Sequence, residues 1–346
     1  MEVEQLLAAV RARAPWRYGA SLILKSCGLH VGHGFDDTYG NLLQPGVISE
    51  DANQALEDRL IEHMISGEKS LRLFNKNTAI VDALIQRGAG RRSAHPLANT
   101  FPAVVSEQEL AQYGDVPPKF CAYFERPEGH ALLFVGARSY QERIVLAPED
   151  LKASAAHQRE FESIIGIVNR RRVVHDAIWI PHDHDFIIVA ADYPKSATSE
   201  FPSASHISIE RSMHRLSGVE PDTVNFWPAV SGLYFSEEGE VVELGFVTDD
   251  ASVKHMKARQ GKGCLRKDAY HAAGSEEVGE NLEPFRLAVT WTRQEAENVI
   301  THPELMLPGT SRHIFAPGQP LLDAIFRNGL NVRDLSLVLS KLAPHL

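Results

Sequence analysis

Asp176, Asp192 and Lys195 are the residues of this chain whose types and spacing best suit chemistry. The string VVHDAIWIPHDHDFIIVAADYP, residues 173–194, reads as a β-hairpin with its turn at 181–185. With that turn Ile180 pairs with Phe186 and Asp176 with Ala190, and Asp192 lies diagonally across from Asp176 on the same face. Two carboxylates so placed would hold Mg²⁺, and the lysine just beyond would steady an attacking water or a phosphate. Glu162, in the segment before, supplies a third acid. The expected set is therefore Asp176 and Asp192 as metal ligands, Lys195 and Glu162 as their catalytic companions, and Mg²⁺ as cofactor. In the plainer alternative both aspartates are strand-end acids facing solvent.

A second feature is electrostatic. VKHMKARQGKGCLRK, residues 253–267, carries Lys254, Lys257, Arg259, Lys262, Arg266 and Lys267 and no acid, in a chain of formal charge -10. Acids precede it (Glu237, Glu238, Glu240, Glu243, Asp249, Asp250) and follow it (Glu276, Glu277, Glu280, Glu283). Arg91 with Arg92, and Arg170, Arg171 and Arg172, are further basic clusters. Gathered by the fold, these groups would form a positive groove that binds nucleic-acid phosphates without reading bases. Tyr270 and Trp291 are candidate stacking platforms. The alternatives are a solvated loop paired with its flanking acids, or recognition of an acidic protein partner by a scaffold or regulatory subunit.

Other strings are weaker. His and Asp are dense in IPHDHDF, but adjacent turn residues seldom point at one ion, and these types suit turns in any case. His206, Glu210 and His214 recur every four residues on one helix face, as metal ligands or as solvated groups. Cys27, Cys121 and Cys264 fit neither a disulfide framework nor a zinc ribbon, and cations flank Cys264.

Two resemblances follow from these residues. The hairpin with its acids, over roughly residues 160–195, resembles the restriction-endonuclease-like core, which implies metal-dependent phosphodiester cleavage by Asp176, Asp192 and Lys195. That family places its lysine two residues after the second acid, where this chain has Pro194. LHVGHG, residues 29–34, carries the His-x-Gly-His pattern seen in class I aminoacyl-tRNA synthetases, which implies ATP-phosphate contacts by His30 and His33 and a nucleotide-binding parallel sheet. The string FDDTYGNLLQPG that follows does not read as that family's helix.

These residues need elements to position them. The chain has 346 residues with 44% hydrophobic and 23% charged, enough for a sizeable core and too apolar for global disorder. The spacing predicts helices from Val3, from Ser49, from Asn77 to Leu84, from Pro148 to Arg170, and through SHISIERSMHRLSG up to Gly218. SLILK reads as a strand opening and IQRGAGRRSAHPLANTFP as a loop. KFCAYFERPEGHALLFVGA and FWPAVSGLYFSEEGEVVELGFVT read as hairpins, FRLAVTW as a strand, and QPLLDAIFRNGLNVRDLSLVLSKL as two short helices split at Gly329. The class expected is α+β, mostly antiparallel hairpins with interspersed helices, with an order from Phe186 that suits a split βαβ unit. The expected units are a mainly helical 1–115, an α+β 116–300 and a helical 301–346 packed on the second. Acids before the first apolar residues argue against a secretory leader, and apolar runs are too short to span a bilayer. The function expected is that of a cytoplasmic, bacterial nucleic-acid-binding protein working through phosphate contacts, with the nuclease and the scaffold as alternatives.

Overall fold

The computed structural model describes residues 1–147, 163–194, 197–248, 252–258, 263–269, 282–316 and 318–346. It is an α+β fold built on one ten-stranded sheet in which every ladder is antiparallel. The strands are β1 (Lys69–Asn75), β2 (Val116–Arg126), β3 (Gly129–Leu146), β4 (Ile164–Pro181), β5 (Phe186–Asp192), β6 (Glu240–Val247), β7 (Val253–Lys257), β8 (Glu283–Thr290), β11 (Glu304–Leu307) and β12 (Ala324–Arg327); β9 (Arg293–Ala296) and β10 (Val299–Thr301) form a separate pair. The order across the large sheet is β2-β3-β4-β5-β1-β12-β11-β8-β6-β7. Strands from all three expected units thus hydrogen-bond in one sheet: β1 pairs with β5 on one side and β12 on the other.

Alternation within the strands sends side chains to cores on both faces. Leu71 and Leu73 of β1 join the main core with α1 (Val3–Arg13) and α4 (Glu50–Ser66), while Phe74 joins a second core against α5 (Thr78–Gly88) and α8 (Ser203–Ser217). The helix starts obey capping chemistry. Ser49 accepts from the Ala52 N–H, and Asn77 accepts from Ala79 and Ile80. Gly218, at φ 71°, ends α8 in the left-handed region that glycine tolerates.

Several expectations are corrected. Ser21–Ser26 (α2) is helical rather than a strand opening, with Ile23 and Leu24 buried; an apolar run this short carries no decisive period. The string FDDTYGNLLQPG, which does not read as the helix of the His-x-Gly-His family, holds a helix over Phe35–Leu42 (α3). Trp227–Phe235 is a helix in place of the first strand of a hairpin, favoured by Pro228 in its first turn. The expected helix from Pro148 to Arg170 is β4 from Ile164 onward: β-branched Ile164, Ile165, Ile167 and Val168 crowd that stretch and favour extended backbone. Ile165 and Ile167, expected on a helix, are exposed by 55% and 61%. Residues 148–162, including Phe161 and Glu162, lie outside the described residues. In the tail, Val332–Leu342 is the expected helix, but Ala324–Arg327 before it is β12. Among the described residues no helix is long and apolar enough to cross a membrane.

β3 and β4 outrun their neighbours. They pair with each other over all eighteen residues, from Gly129↔Pro181 to Leu146↔Ile164. β2 accompanies β3 only as far as Ala137, and β5 accompanies β4 only over Ala177–Trp179. Residues 138–146 and 164–172 therefore form a two-stranded ribbon that leaves the sheet.

Candidate functional site: the cleft at the root of the ribbon

The hairpin carrying Asp176 and Asp192 exists, but one residue out of the expected register: Ala177, not Asp176, faces Ala190. The two acids still meet. The Asp192 N–H donates to Asp176 Oδ1 at 2.9 Å, and both residues are buried.

Their partners were not visible in the sequence. Asp176 Oδ1 also accepts from Arg138 Nη2, and its Oδ2 accepts from the Ser205 hydroxyl at 2.5 Å. Asp192 Oδ1 is 2.6 Å from Lys69 Nζ, and its Oδ2 is 2.8 Å from Arg13 Nη1. The site needs five pieces of chain: the end of α1, the start of β1, the β3–β4 pair, the end of β5 and α8. The signals available in the sequence were a basic last turn in α1 and a lysine opening the alternating stretch Lys69–Asn75.

These side chains also complete the backbone of β4 where β5 stops. The His175 N–H donates to Asp192 Oδ2 at 2.7 Å, the His175 carbonyl accepts from Lys69 Nζ at 2.6 Å, and the Val173 carbonyl accepts from Arg13 Nη2 at 3.4 Å. Buried backbone groups need such partners, so the ion cluster closes the edge of β4. All four carboxylate oxygens are engaged. A divalent ion between Asp176 and Asp192 would have to displace the cations that hold them.

Burial and charge oppose each other here. Burial would raise the Asp192 carboxyl, but Lys69 and Arg13 together outweigh it and hold it at about 2. Burial lowers Lys69 and Arg13, against the pull of Asp192; Arg172 lowers Arg13 further by like-charge repulsion. Burial, with help from Lys69, keeps the nearby His63 down at about 4, hence neutral. Above this cluster opens a cleft of about 300 Å³ lined by Arg13, Phe35, His63, Glu68, Arg172 and Asp192, among others.

The other expected residues scatter. Lys195 and Glu162 lie outside the described residues, as do Arg259, Lys262 and Tyr270. Lys254 and Lys257 are exposed on β7, the strand at one end of the sheet, and Lys257 pairs with Glu243 at 2.9 Å. Arg266 is turned inward: it donates to the carbonyls of Leu233 at 2.7 Å, Tyr234 at 2.8 Å and Gly239 at 3.1 Å, tying down the end of the Trp227–Phe235 helix. Lys267 is exposed and Trp291 is buried. Arg91 and Arg92 are exposed beside β2, since Ser93 N–H bonds the Phe120 carbonyl. β2 and β7 are the two ends of the sheet, so among the described residues Lys254 and Lys257 lie at the opposite end from Arg91 and Arg92. Arg170, Arg171 and Arg172 instead lie at the root of the ribbon, Arg170 paired with Glu142 at 2.9 Å and Arg171 at 3.7 Å from Asp115.

The weaker strings separate too. His206 bonds Ser70 Oγ at 3.0 Å, Glu210 pairs with Arg72 at 3.2 Å and His214 with Glu220 at 3.2 Å. In IPHDHDF, His182 meets His130 at 3.2 Å while Asp183 is 3.8 Å from His184. Among the described residues no group of three or more His, Cys, Asp or Glu could hold a metal ion. His30 and His33 are exposed beside an antiparallel sheet, without the parallel sheet that their motif implies. Cys27 and Cys121 are buried enough to push their thiols up, to about 11 and about 12, which disfavours the reactive thiolate.

No protein-family model, curated protein or solved structure matches this chain.

Proposed function

We propose that this protein binds duplex DNA through the β3–β4 ribbon, by phosphate contacts from its arginines. The observation that carries the reading is charge segregation on a projecting element. Among the described residues the ribbon holds Arg138, Arg143, Arg170, Arg171 and Arg172 against the single acid Glu142, in a chain of formal charge -10. Arg138 is committed to Asp176, but Arg143 is exposed, and the Arg170–Glu142 pair is about 43% and 42% exposed. Exposed pairs of that kind are worth little, so a phosphate can take the arginine over.

Shape supports the same occupant. A two-stranded ribbon fits the major groove of B-DNA, whereas the major groove of A-form RNA is too narrow to admit it. The outer part of the ribbon exposes Val145 by 74%, next to Ile165 and Ile167. Apolar side chains on a cationic arm suit contact with base steps or thymine methyls.

Fluorescence anisotropy with duplex DNA at several salt concentrations tests this. Arg143→Ala and Arg170→Ala should each weaken binding similarly across sequences and flatten the log-log salt slope by roughly 0.9 per lost contact. An unchanged slope in the double variant would refute the ribbon as the phosphate contact.

A further inference from the structure

We infer that the cleft at the ribbon root is a binding site for a phosphoryl group. The inference stands on the cleft itself and does not need the ribbon to bind DNA. Arg13, Lys69, Arg138 and Arg172 surround Asp176 and Asp192, and counting Glu68 on the cleft wall still leaves the cations in excess. Arg172 is half-buried, its backbone sits in the ladder opposite Arg138, and among the described residues its side chain makes no hydrogen bond or ion pair. It lines the same opening as Arg13. The Arg13 and Arg172 guanidinium groups therefore face one cleft whose acids are Asp192 and Glu68, and an incoming oxyanion would offset the repulsion between them.

The chemistry favours a phosphoryl group. A guanidinium presents a planar fork of N–H donors that matches two oxygens of a tetrahedral oxyanion. Arg13 spends Nη1 on Asp192 and Nη2 on Val173, which leaves other donors. Arg172 has its whole fork to give. The carbonyl end of α1 points into this region and opposes an anion, but Arg11 and Arg13 in its last turn counter that dipole. The volume of about 300 Å³ exceeds what a bare phosphate needs, so the group can arrive attached to something larger, with Phe35 as an apolar wall. Two sources share this chemistry: a small phosphomonoester and the terminal phosphate of a nucleic-acid strand.

Thermal unfolding of the full chain with inorganic phosphate, against chloride at matched ionic strength, is the first test. The expected result is a saturable rise in Tm of several degrees. Arg172→Ala should abolish the rise, while Arg312→Ala, an exposed arginine elsewhere, should keep it. Without phosphate the Arg172→Ala protein should melt close to the parent, because the change removes a repulsion with Arg13 together with an attraction to Asp192. Arg172→Gln serves as the second variant if the alanine protein does not fold. No phosphate-specific rise, or an equal rise in a folded Arg172 variant, overturns the proposal. A nucleoside 5′-monophosphate and a single-stranded oligonucleotide with or without a 5′-phosphate then separate the sources. Stabilisation by the monophosphate assigns a small ligand, and stabilisation only by the 5′-phosphorylated strand assigns a strand end. Stabilisation by both strands alike, regardless of the terminal phosphate, overturns the site as a phosphoryl pocket.

Discussion

Lys69 and Asp192 sit directly opposite each other on adjacent antiparallel strands, with Nζ 2.6 Å from Oδ1 and the lysine side chain 1% exposed. A buried pair of this kind contributes little net stability when intact, because desolvation cancels most of the attraction. Broken on one side, it leaves an uncompensated buried charge. Asp192→Asn should therefore cost about 3–5 kcal/mol in urea unfolding, and a loss below about 1 kcal/mol would show that Lys69 and Arg13 find other partners.

Acid should unfold the protein in two stages. Burial is the first cause that depresses His63, to about 4, and His206, to about 3, both from an ordinary 6.5. Unfolded histidines bind protons first, so this contribution is whole above pH 6.5 and falls by about 1.4 kcal/mol per pH unit for each histidine below it. Asp192, held at about 2 against an ordinary 3.8, adds a further loss between about pH 4 and 2. Denaturant titrations at pH 7, 6 and 5 should show the first stage, and His206→Gln should shallow it. A pH-independent midpoint over that range would contradict neutral burial of both rings.

Removing Ser139–Arg171 and joining Arg138 to Arg172 through Asn-Gly should leave a folded core. Arg138 and Arg172 are cross-strand partners, and a two-residue turn can close such a pair. The shortened protein should keep a cooperative melt and lose duplex binding measured by anisotropy. Retained binding would move the interface elsewhere on the surface.

Arg266→Ala separates structure from binding. Its loss removes the charged hydrogen bonds to the Leu233 and Tyr234 carbonyls at the end of a helix, at a cost of about 1–3 kcal/mol. The salt slope of DNA binding should stay unchanged, and a flatter slope would return the basic run to the interface.

Local signals carried the sequence reading and distance defeated it. The caps at Ser49 and Asn77, the Gly218 stop and the two hairpins are written in neighbouring residues and appear in the structure. The hairpin register slipped by one because it depends on how many residues the turn consumes. Ile164–Arg170 mimics a helix because apolar residues three and four apart occur there by density, while β-branching decides the backbone. The meeting of Asp176 with Asp192 was legible; Lys69 and Arg13, 123 and 179 residues away from Asp192, were not, since periodicity says nothing about which distant elements pack. Arg266 looked like a solvated cation because sequence does not show which carbonyls a fold leaves open.

The side chains that close β4 have a consequence beyond charge. A strand edge with free N–H and C=O groups invites a strand from another molecule. Here the positions where such an intruder would first hydrogen-bond, Val173 and His175, are already occupied by Arg13, Lys69 and Asp192. The cluster acts as a stop that ends sheet growth without a further strand. Neutralising it should therefore do more than loosen the fold: it should open a docking edge, and aggregates of the Asp192→Asn protein should grow outward from β4.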